Sequence, residues 1–419
     1  MSLFTEKKLC RVCNEILPAV DLLNFGNMPM AAFPENPNPV ERSETVPLVV
    51  VQCSSCTLIQ LRYTVDQNSM YRTFWYKSGT TETMRNALQD IVRSALLKMP
   101  ADNVSGEFWV MDVGASDGTL LSYYPEYVYK VGVEPAENLY SELIQHTDEI
   151  IPECFELKHI PQEMRKKFSI VTACAMFYDL DNPGQFLEDV KECLTDSGLL
   201  IIQMNDLASM LENTVFDNIE HQHLTYFSFT TLEHLLTSHG FYVHDVEFNN
   251  VNGGSLRVYA GLAPNSENSS KLTELRNREA ETCSHEAIAA FIDRISSTCF
   301  TVKRQILLWK SLGKKVYLLG ASQRGLVLLH CLGLPRGTFE AAGERDSGKF
   351  GRYLGYTGIK IVSEQEAREK ADAMLVLPWS FRAEIIEREK AFLNRGGELL
   401  FPLPVPKVIL KGESVLSPI

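Results

Sequence analysis

Four cysteines fall in two short pairs, Cys10-Arg11-Val12-Cys13 and Cys53-Ser54-Ser55-Cys56. Two such knuckles bring four thiolates to tetrahedral geometry, the closed donor set of one structural zinc with no coordination position left for a reacting ligand. Reduced core cysteines are the plainer alternative. A redox Cys-x-x-Cys belongs between a strand and a helix, a place that neither pair takes. A second chemical stretch is Phe216-Asp-Asn-Ile-Glu220-His221-Gln222-His223-Leu-Thr-Tyr226-Phe-Ser228. Two histidines one residue apart could chelate a metal, but no third ligand stands near. One imidazole acting as a general base is the sharper reading, because it titrates near neutrality and takes a hydroxyl or carbon-bound proton.

A third stretch is Val110-Met-Asp112-Val-Gly114-Ala-Ser116-Asp117-Gly118-Thr-Leu-Leu121, an apolar run that breaks into a small-residue turn and resumes in a helical apolar pattern. It reads as a buried parallel strand delivering its end to a nucleotide-like ligand, with Gly114 and Gly118 letting backbone come close. Lys130-Val-Gly-Val-Glu134-Pro135 then looks like a second strand ending in an acid that accepts both hydroxyls of a ribose. The turn has no basic residue and no G-x-G-x-x-G, and a pyrophosphate would want a glycine-lined helix start. S-adenosylmethionine carries no phosphate and tolerates Asp112 and Asp117. With Ser116 they complete the candidate cofactor turn, and the predicted class is a methyltransferase.

These residues need elements to hold them. Residues 106 to 262 alternate strand and helix: after the opening pair come Phe168–Cys174 as a buried strand, a helix from Pro183 to Leu194, and Gly198–Met204 as another strand. That order predicts a doubly wound parallel sheet with its ligand off the carboxyl ends of the strands. The loop after Met204 runs into the histidine stretch, expected as extended chain. Before the sheet, Met70–Gly79 packs four aromatics, a core cluster or a substrate-facing wall, and from Met84 a helical face follows through Ala87, Leu88, Ile91, Val92, Ala95 and Leu96. Between the cysteine pairs, Pro29, Pro34, Pro37 and Pro39 predict a loop ordered around the metal. Asn252-Gly253-Gly254-Ser255 reads as a hairpin corner, and Asn265–Ser270 as a linker. Lys315–Gly325 opens a second strand-turn-helix unit whose Gly320-Ala-Ser322-Gln-Arg324-Gly325 could meet a diphosphate.

The expected domains are a zinc unit over residues 1–68, a cofactor-binding unit over 69–265 and a third α/β unit over 266–419. A chain of 419 residues, 45% hydrophobic, has material for these cores. No apolar run approaches the roughly 18 residues of a membrane span, and Met-Ser-Leu-Phe-Thr-Glu-Lys-Lys lacks a signal core, so a cytoplasmic protein without a membrane partner is expected. The net charge of −13 argues against a nucleic-acid partner, which needs a basic footprint. Six of the ten cysteines are scattered through apolar segments, as buried thiols in a reducing compartment.

Taken in order, the two cysteine pairs, Tyr76-Lys77-Ser78-Gly79, Asp112-Val-Gly114, the segment 221 to 227, Gly253-Gly-Ser-Leu-Arg257, Gly320-Ala-Ser322, Pro378-Trp379 and Gly396-Gly397 resemble the S-adenosylmethionine-dependent C-methyltransferases of nucleotide-linked 4-keto deoxysugars. The resemblance covers nearly the whole chain. It implies an α/β protein with a zinc-knuckle domain, a class I methyltransferase sheet and a Rossmann-like C-terminal domain. It further implies His223 as the base; beside it, Tyr76 or a backbone amide is the candidate to steady the enolate oxygen, and His221 is a lesser catalytic candidate. Tyr76, Lys77, Glu220, Gln222, Tyr226, Arg257, Ser322 and Arg324 are the candidate contacts to a nucleoside-diphosphate sugar, and the expected oligomeric state is monomeric. The family more often has Tyr and Glu where this chain has Glu220 and Gln222. Glu344–Lys349 also departs from its Arg-Asn-Pro pattern. Rival readings are methylation of oxygen or nitrogen on another small molecule, and a binding protein whose zinc knuckle contacts nucleic acid.

Overall fold

The computed structural model describes residues 3–30, 32–37, 45–66, 70–72, 74–99, 107–265 and 267–412. Pro39, Thr73 and the expected boundaries at 68 and 266 lie outside them.

Thr45–Gln52 carries four valines and a leucine, β-branched and apolar residues that favour a pleated, buried strand. It pairs with Leu23–Pro29 on one side and Ile59–Leu61 on the other. The expectation of a metal-ordered loop between the cysteine pairs is thereby corrected, since both this strand and Leu23–Pro29 fall between them. Side chains alternate across it: Leu48 and Val50 join one hydrophobic core while Val51 joins a second. The N-terminal sheet is thus a partition between two cores. Its edge is completed by Thr225–Tyr226, far along the chain, with Thr225 opposite Gln60 and Tyr226 opposite Ile59.

The middle sheet has seven strands, ordered Tyr242–Asn249, Ser255–Gly261, Leu194–Asn205, Phe168–Cys174, Phe108–Val113, Val128–Val133, Glu149–Ile151. Only Ser255–Gly261 runs against its neighbours. Phe108–Val113 lies between Val128–Val133 and Phe168–Cys174, so the winding direction reverses beside it, and this is where such a sheet opens a crevice. The central strands are buried on both faces, as their unbroken apolar runs require. Helix Glu82–Lys98, capped by Thr81 accepting from the Met84 amide, covers one face with Met84, Leu88, Ile91, Val92 and Ala95. The helix expected after Gly118 is a single helical turn, Leu121–Tyr123. Pro125 is the reason: it disfavours helix at Tyr124 and brings no amide of its own.

The third unit repeats the plan. Its sheet is ordered Tyr353–Leu354, Ile359–Ser363, Ala342–Glu344, Val316–Leu319, Ala373–Val376, Glu398–Phe401, Lys407–Ile409, with the inner five strands parallel and the outer two antiparallel. The winding reverses beside Val316–Leu319. Helix Ser269–Thr282 begins inside the expected linker, and His285–Ser311 follows it, burying Ile288, Phe291, Ile295, Val302, Ile306 and Trp309. Among the described residues no helix is long and apolar enough to cross a membrane.

Candidate active site

Both winding reversals open on one cavity of about 880 Å³. Gly114, Met176 and Asn205 reach it from the middle sheet, Ser322, Glu344 and Trp379 from the third unit, and Tyr76 and Lys77 from the aromatic stretch.

The turn after Phe108–Val113 holds three left-handed residues, Gly114 at φ +74°, Ser116 at +53° and Gly118 at +79°. At Gly114 a Cβ would meet Met176 at 3.2 Å, so glycine is needed where the two strand ends come together. Glu134 is buried on the cavity wall. Its Oε2 accepts from the Ser116 amide at 2.8 Å and its Oε1 from the Ala136 amide at 2.9 Å, while burial pushes its carboxyl above the usual range. Asp112 also lines the cavity; burial pushes it up to about 7 against the pull of the Thr172 hydroxyl that it accepts. Two residues of the predicted cofactor turn serve it from behind. Asp117 accepts from the Gly79 amide at 2.8 Å and the Thr119 hydroxyl at 2.7 Å, tying the aromatic stretch to the turn. Gly118, left-handed, packs against Leu143 and His146, where a Cβ would press at 3.0 to 3.1 Å.

The histidine segment is not extended. A helical turn over Phe216–Asn218 leads into further turns, so the two imidazoles leave in different directions. His221 Nε2 bonds the Val46 carbonyl of the N-terminal sheet at 3.1 Å and does not line the cavity. His223 does line it. Its Nδ1–H donates to the Asn218 carbonyl at 2.8 Å, which fixes the tautomer with an unprotonated Nε2, and its ring stands edge-on to Tyr178, centroids 4.3 Å apart. Burial holds His223 down at about 3 and His221 at about 4. Nε2 faces Glu220 Oε1 at 3.4 Å.

Glu220, Gln222, Ser322 and Arg324 line the cavity as expected. Ser322 caps helix Gln323–Leu332 by accepting from the Gly325 amide at 3.1 Å. Arg324 donates to Asp217 at 3.1 Å, and Trp379 Nε1 donates to the other Asp217 oxygen at 2.8 Å. Lys77 is paired with Glu142 at 2.6 Å on the cavity rim. Two candidate substrate contacts are corrected. Arg257, 2% exposed, is spent on Gln203, Asp90, Glu247 and the Tyr259 hydroxyl within the middle unit, and Tyr226 is buried as an edge-strand residue. Neither lines the cavity. An Arg on a buried strand must find its partners inside, so its charge is not available to a ligand.

Sequence reasoning passed over Tyr178, Asp179 and Asp217. The first two follow the strand Phe168–Cys174 at the winding reversal, where a ligand-facing loop is the rule. Asp217 had no signal of its own.

The four cysteine sulfurs lie within 4.8 Å of one another, with Cys10 to Cys56 and Cys13 to Cys53 both at 3.5 Å. A tetrahedron with metal–sulfur bonds of about 2.3 Å has edges of about 3.8 Å, so the donor set fits zinc. The two knuckles are built alike. The amides of Asn14 and Thr57, both left-handed, donate back to the carbonyls of Cys10 and Cys53 at 3.1 Å. Gln60 donates to Cys10 Sγ at 3.2 Å. Arg11, inside the first knuckle, donates to Gln60, to the Leu61 carbonyl, to Thr64 and to Asp181 on the cavity wall.

Three family models match in tandem: a zinc binding domain over residues 10–71, a methyltransferase domain over 81–246, and a C-methyltransferase C-terminal domain over 250–404. Among curated proteins the chain is similar to the C-methyltransferase NovU of Streptomyces niveus, 28% identical over 97% of this chain and 98% of that protein. Among solved structures it is similar to a SAM dependent methyltransferase from Aquifex aeolicus, 17% identical over 42% of this chain and 89% of that one with a TM-score of 0.32. It is also similar to an S-adenosylmethionine-dependent methyltransferase from Clostridium acetobutylicum, 12% identical over 43% of this chain and 92% of that one with a TM-score of 0.34.

Proposed function

We propose that this chain, an S-adenosylmethionine-dependent C-methyltransferase with a zinc-binding N-terminal unit, methylates a carbon beside the ketone of a 4-keto deoxysugar carried as its nucleoside diphosphate. The cofactor, when bound, supplies an electrophilic methyl group on a sulfonium. The units are taken as residues 1–68, 69–265 and 266–419: a zinc unit, a middle unit that holds the cofactor at Gly114, Ser116 and Glu134, and a third unit that helps to hold the nucleotide sugar.

A carbon-bound hydrogen beside a ketone is weakly acidic, so its removal needs a base in the neutral form and a donor for the developing enolate oxygen. The observation that carries this reading is His223. It is neutral by burial, its tautomer is fixed by the Asn218 carbonyl, and its unprotonated Nε2 faces a cavity that both sheets share. Tyr76, which also lines the cavity, offers its hydroxyl as one donor within the site. Zinc has no part in these steps, because four thiolates close its coordination.

The test uses the enzyme in D₂O with S-adenosylmethionine and a panel of nucleotide 4-ketosugars, following methyl gain and deuterium exchange at the candidate carbon by mass spectrometry. Wild type is expected to show both. His223→Ala should lose about 10² to 10⁴-fold in turnover with cofactor affinity kept. Exchange that persists in His223→Ala would move the base elsewhere, and methyl gain without any exchange in wild type would favour an oxygen or nitrogen acceptor.

A further inference from the structure

Glu220 stands where a second proton-handling group would be useful. It is three residues before His223 on the same run of turns, and its Oε1 lies 3.4 Å from His223 Nε2. That separation is longer than a good hydrogen bond, so neither group is locked to the other. Its Oε2 is buried and has no hydrogen-bond partner among the described residues, although the side chain lines the cavity. A buried carboxyl oxygen without a partner costs free energy and wants an explanation in function.

We propose that Glu220 acts as a neutral carboxylic acid that donates its proton to the ketone oxygen while His223 takes the neighbouring carbon-bound proton. This rests on the reading of the substrate as a ketone. A ketone presents its acidic C–H and its oxygen one bond angle apart, so a base and a donor set side by side can meet both in one pose. The C–H electron pair becomes the C=C bond, the carbonyl π pair moves to oxygen, the carbon-bound proton goes to Nε2, and the Glu220 proton is shared with the oxygen. On alkylation the C=C pair forms the new carbon–methyl bond, the methyl–sulfur bond breaks with its electrons left on sulfur, the carbonyl re-forms, and the shared proton returns to Glu220. His223 gives its proton to solvent.

The surroundings keep the carboxyl neutral at physiological pH. Burial pushes Glu220 up to about 8, Arg324 from the third unit pulls the other way, and Asp217 on its own segment adds to the rise. Asp179 and Tyr178 after the strand Phe168–Cys174, Tyr71 from the aromatic stretch and Tyr226 on the edge strand lie near enough that each is pushed upward in part by Glu220. None of these four brings a positive charge. A carboxylic acid kept neutral by an apolar, acidic site can serve as a hydrogen-bond donor to an enolate.

The test compares Glu220→Gln, which keeps a donor but cannot titrate, with Glu220→Met, which keeps volume but has no donor. An acid acts only while protonated, so wild-type kcat should fall as pH rises through about 8. Glu220→Gln should retain kcat within roughly tenfold and lose that alkaline limb. Glu220→Met should lose roughly 10² to 10³-fold in kcat with KM little changed, the size of effect seen on removing one oxyanion donor. Zinc content and cofactor affinity verify the fold of each variant. Near-normal kcat in Glu220→Met, an alkaline limb that survives in Glu220→Gln, or equal loss in both variants overturns the assignment. Absence of deuterium exchange in wild type refutes instead the ketone reading on which it depends, and should either variant fold poorly, the kcat of the other against wild type decides.

Discussion

His221 and His223 are chemically identical and separated by one residue, and packing gives them opposite duties. His221 spends its Nε2–H on the Val46 carbonyl and has no face toward the cavity, whereas His223 spends Nδ1–H and keeps Nε2 for a ligand. Both are held neutral by burial, near 4 and 3, well below the roughly 6.5 of an unfolded chain. The sign follows directly. Above about pH 6.5 neither state binds these protons; as pH falls from there toward 4 and 3, the unfolded chain takes them up while the folded chain does not. Stability is therefore lost with falling pH, by up to about 1.4 kcal/mol per pH unit for each histidine. Glu220, whose carboxyl is raised, works in the other direction and is common to wild type and variant. His221→Gln should thus show a shallower loss of unfolding free energy between pH 7.5 and 5.5 than wild type does, measured by denaturant titration. Equal slopes would mean that His221 already titrates normally in the folded protein.

At the scale of elements, the zinc unit does more than close on itself. Its sheet takes Thr225–Tyr226 as an edge strand, Leu61 donates its amide to the Leu224 carbonyl at 2.9 Å, and Leu224 in turn donates to the Tyr178 carbonyl at 2.9 Å. The segment that carries His223 is in this way suspended between the metal unit and the loop after Phe168–Cys174. Arg11 reaches the same loop at Asp181. Elemental analysis should find one zinc per chain, since a site of four thiolates contributes folding free energy when metal binds. Stripping it with a chelator should lower the melting temperature and abolish methyl transfer together, with both restored on adding zinc back. Full activity in protein shown to hold no zinc would leave the knuckles with no bearing on the site.

At the scale of the whole molecule, two doubly wound sheets set the carboxyl ends of their strands on either side of one cavity, and Asp217 joins the two sides. It accepts from Arg324 and from Trp379 Nε1, both in the third unit, while belonging to the segment that ends in His223. Gly253 reinforces the contact: a Cβ there would come within 2.7 Å of the Trp379 ring. Asp217→Ala leaves the buried Trp379 Nε1–H and the half-buried Arg324 without their acceptor and should cost about 1 to 3 kcal/mol for the buried donor and less for Arg324. The expected outcome is a lowered melting temperature and a higher KM for the proposed sugar nucleotide, with cofactor affinity held within a few fold. Unchanged KM in the folded variant would show that the third unit is not needed to shape the acceptor side.

The readings that came from local pattern hold: the four cysteines by their spacing, the strand and turn at Val110–Gly118, the alternation of strand and helix, and the hairpin at Asn252–Ser255 each depend on residues close in the chain. What only the tertiary structure decided depends on partners far apart. His221 meets Val46 across 175 residues, Arg11 meets Asp181 across 170, and Trp379 meets Asp217 across 162. The same reason inverts several assignments. Arg257 and Asp117 look like ligand contacts by residue type, but each has its charge satisfied by the protein, and Tyr226 is buried on the edge strand, outside the cavity lining. The run of β-branched residues at Thr45–Gln52 outweighs the prolines around it, and Pro125 stops a helix that the apolar pattern alone would have continued. Periodicity and spacing report which elements form. Which side chains face the cavity is settled by burial and hydrogen-bond satisfaction, which no local window of sequence contains.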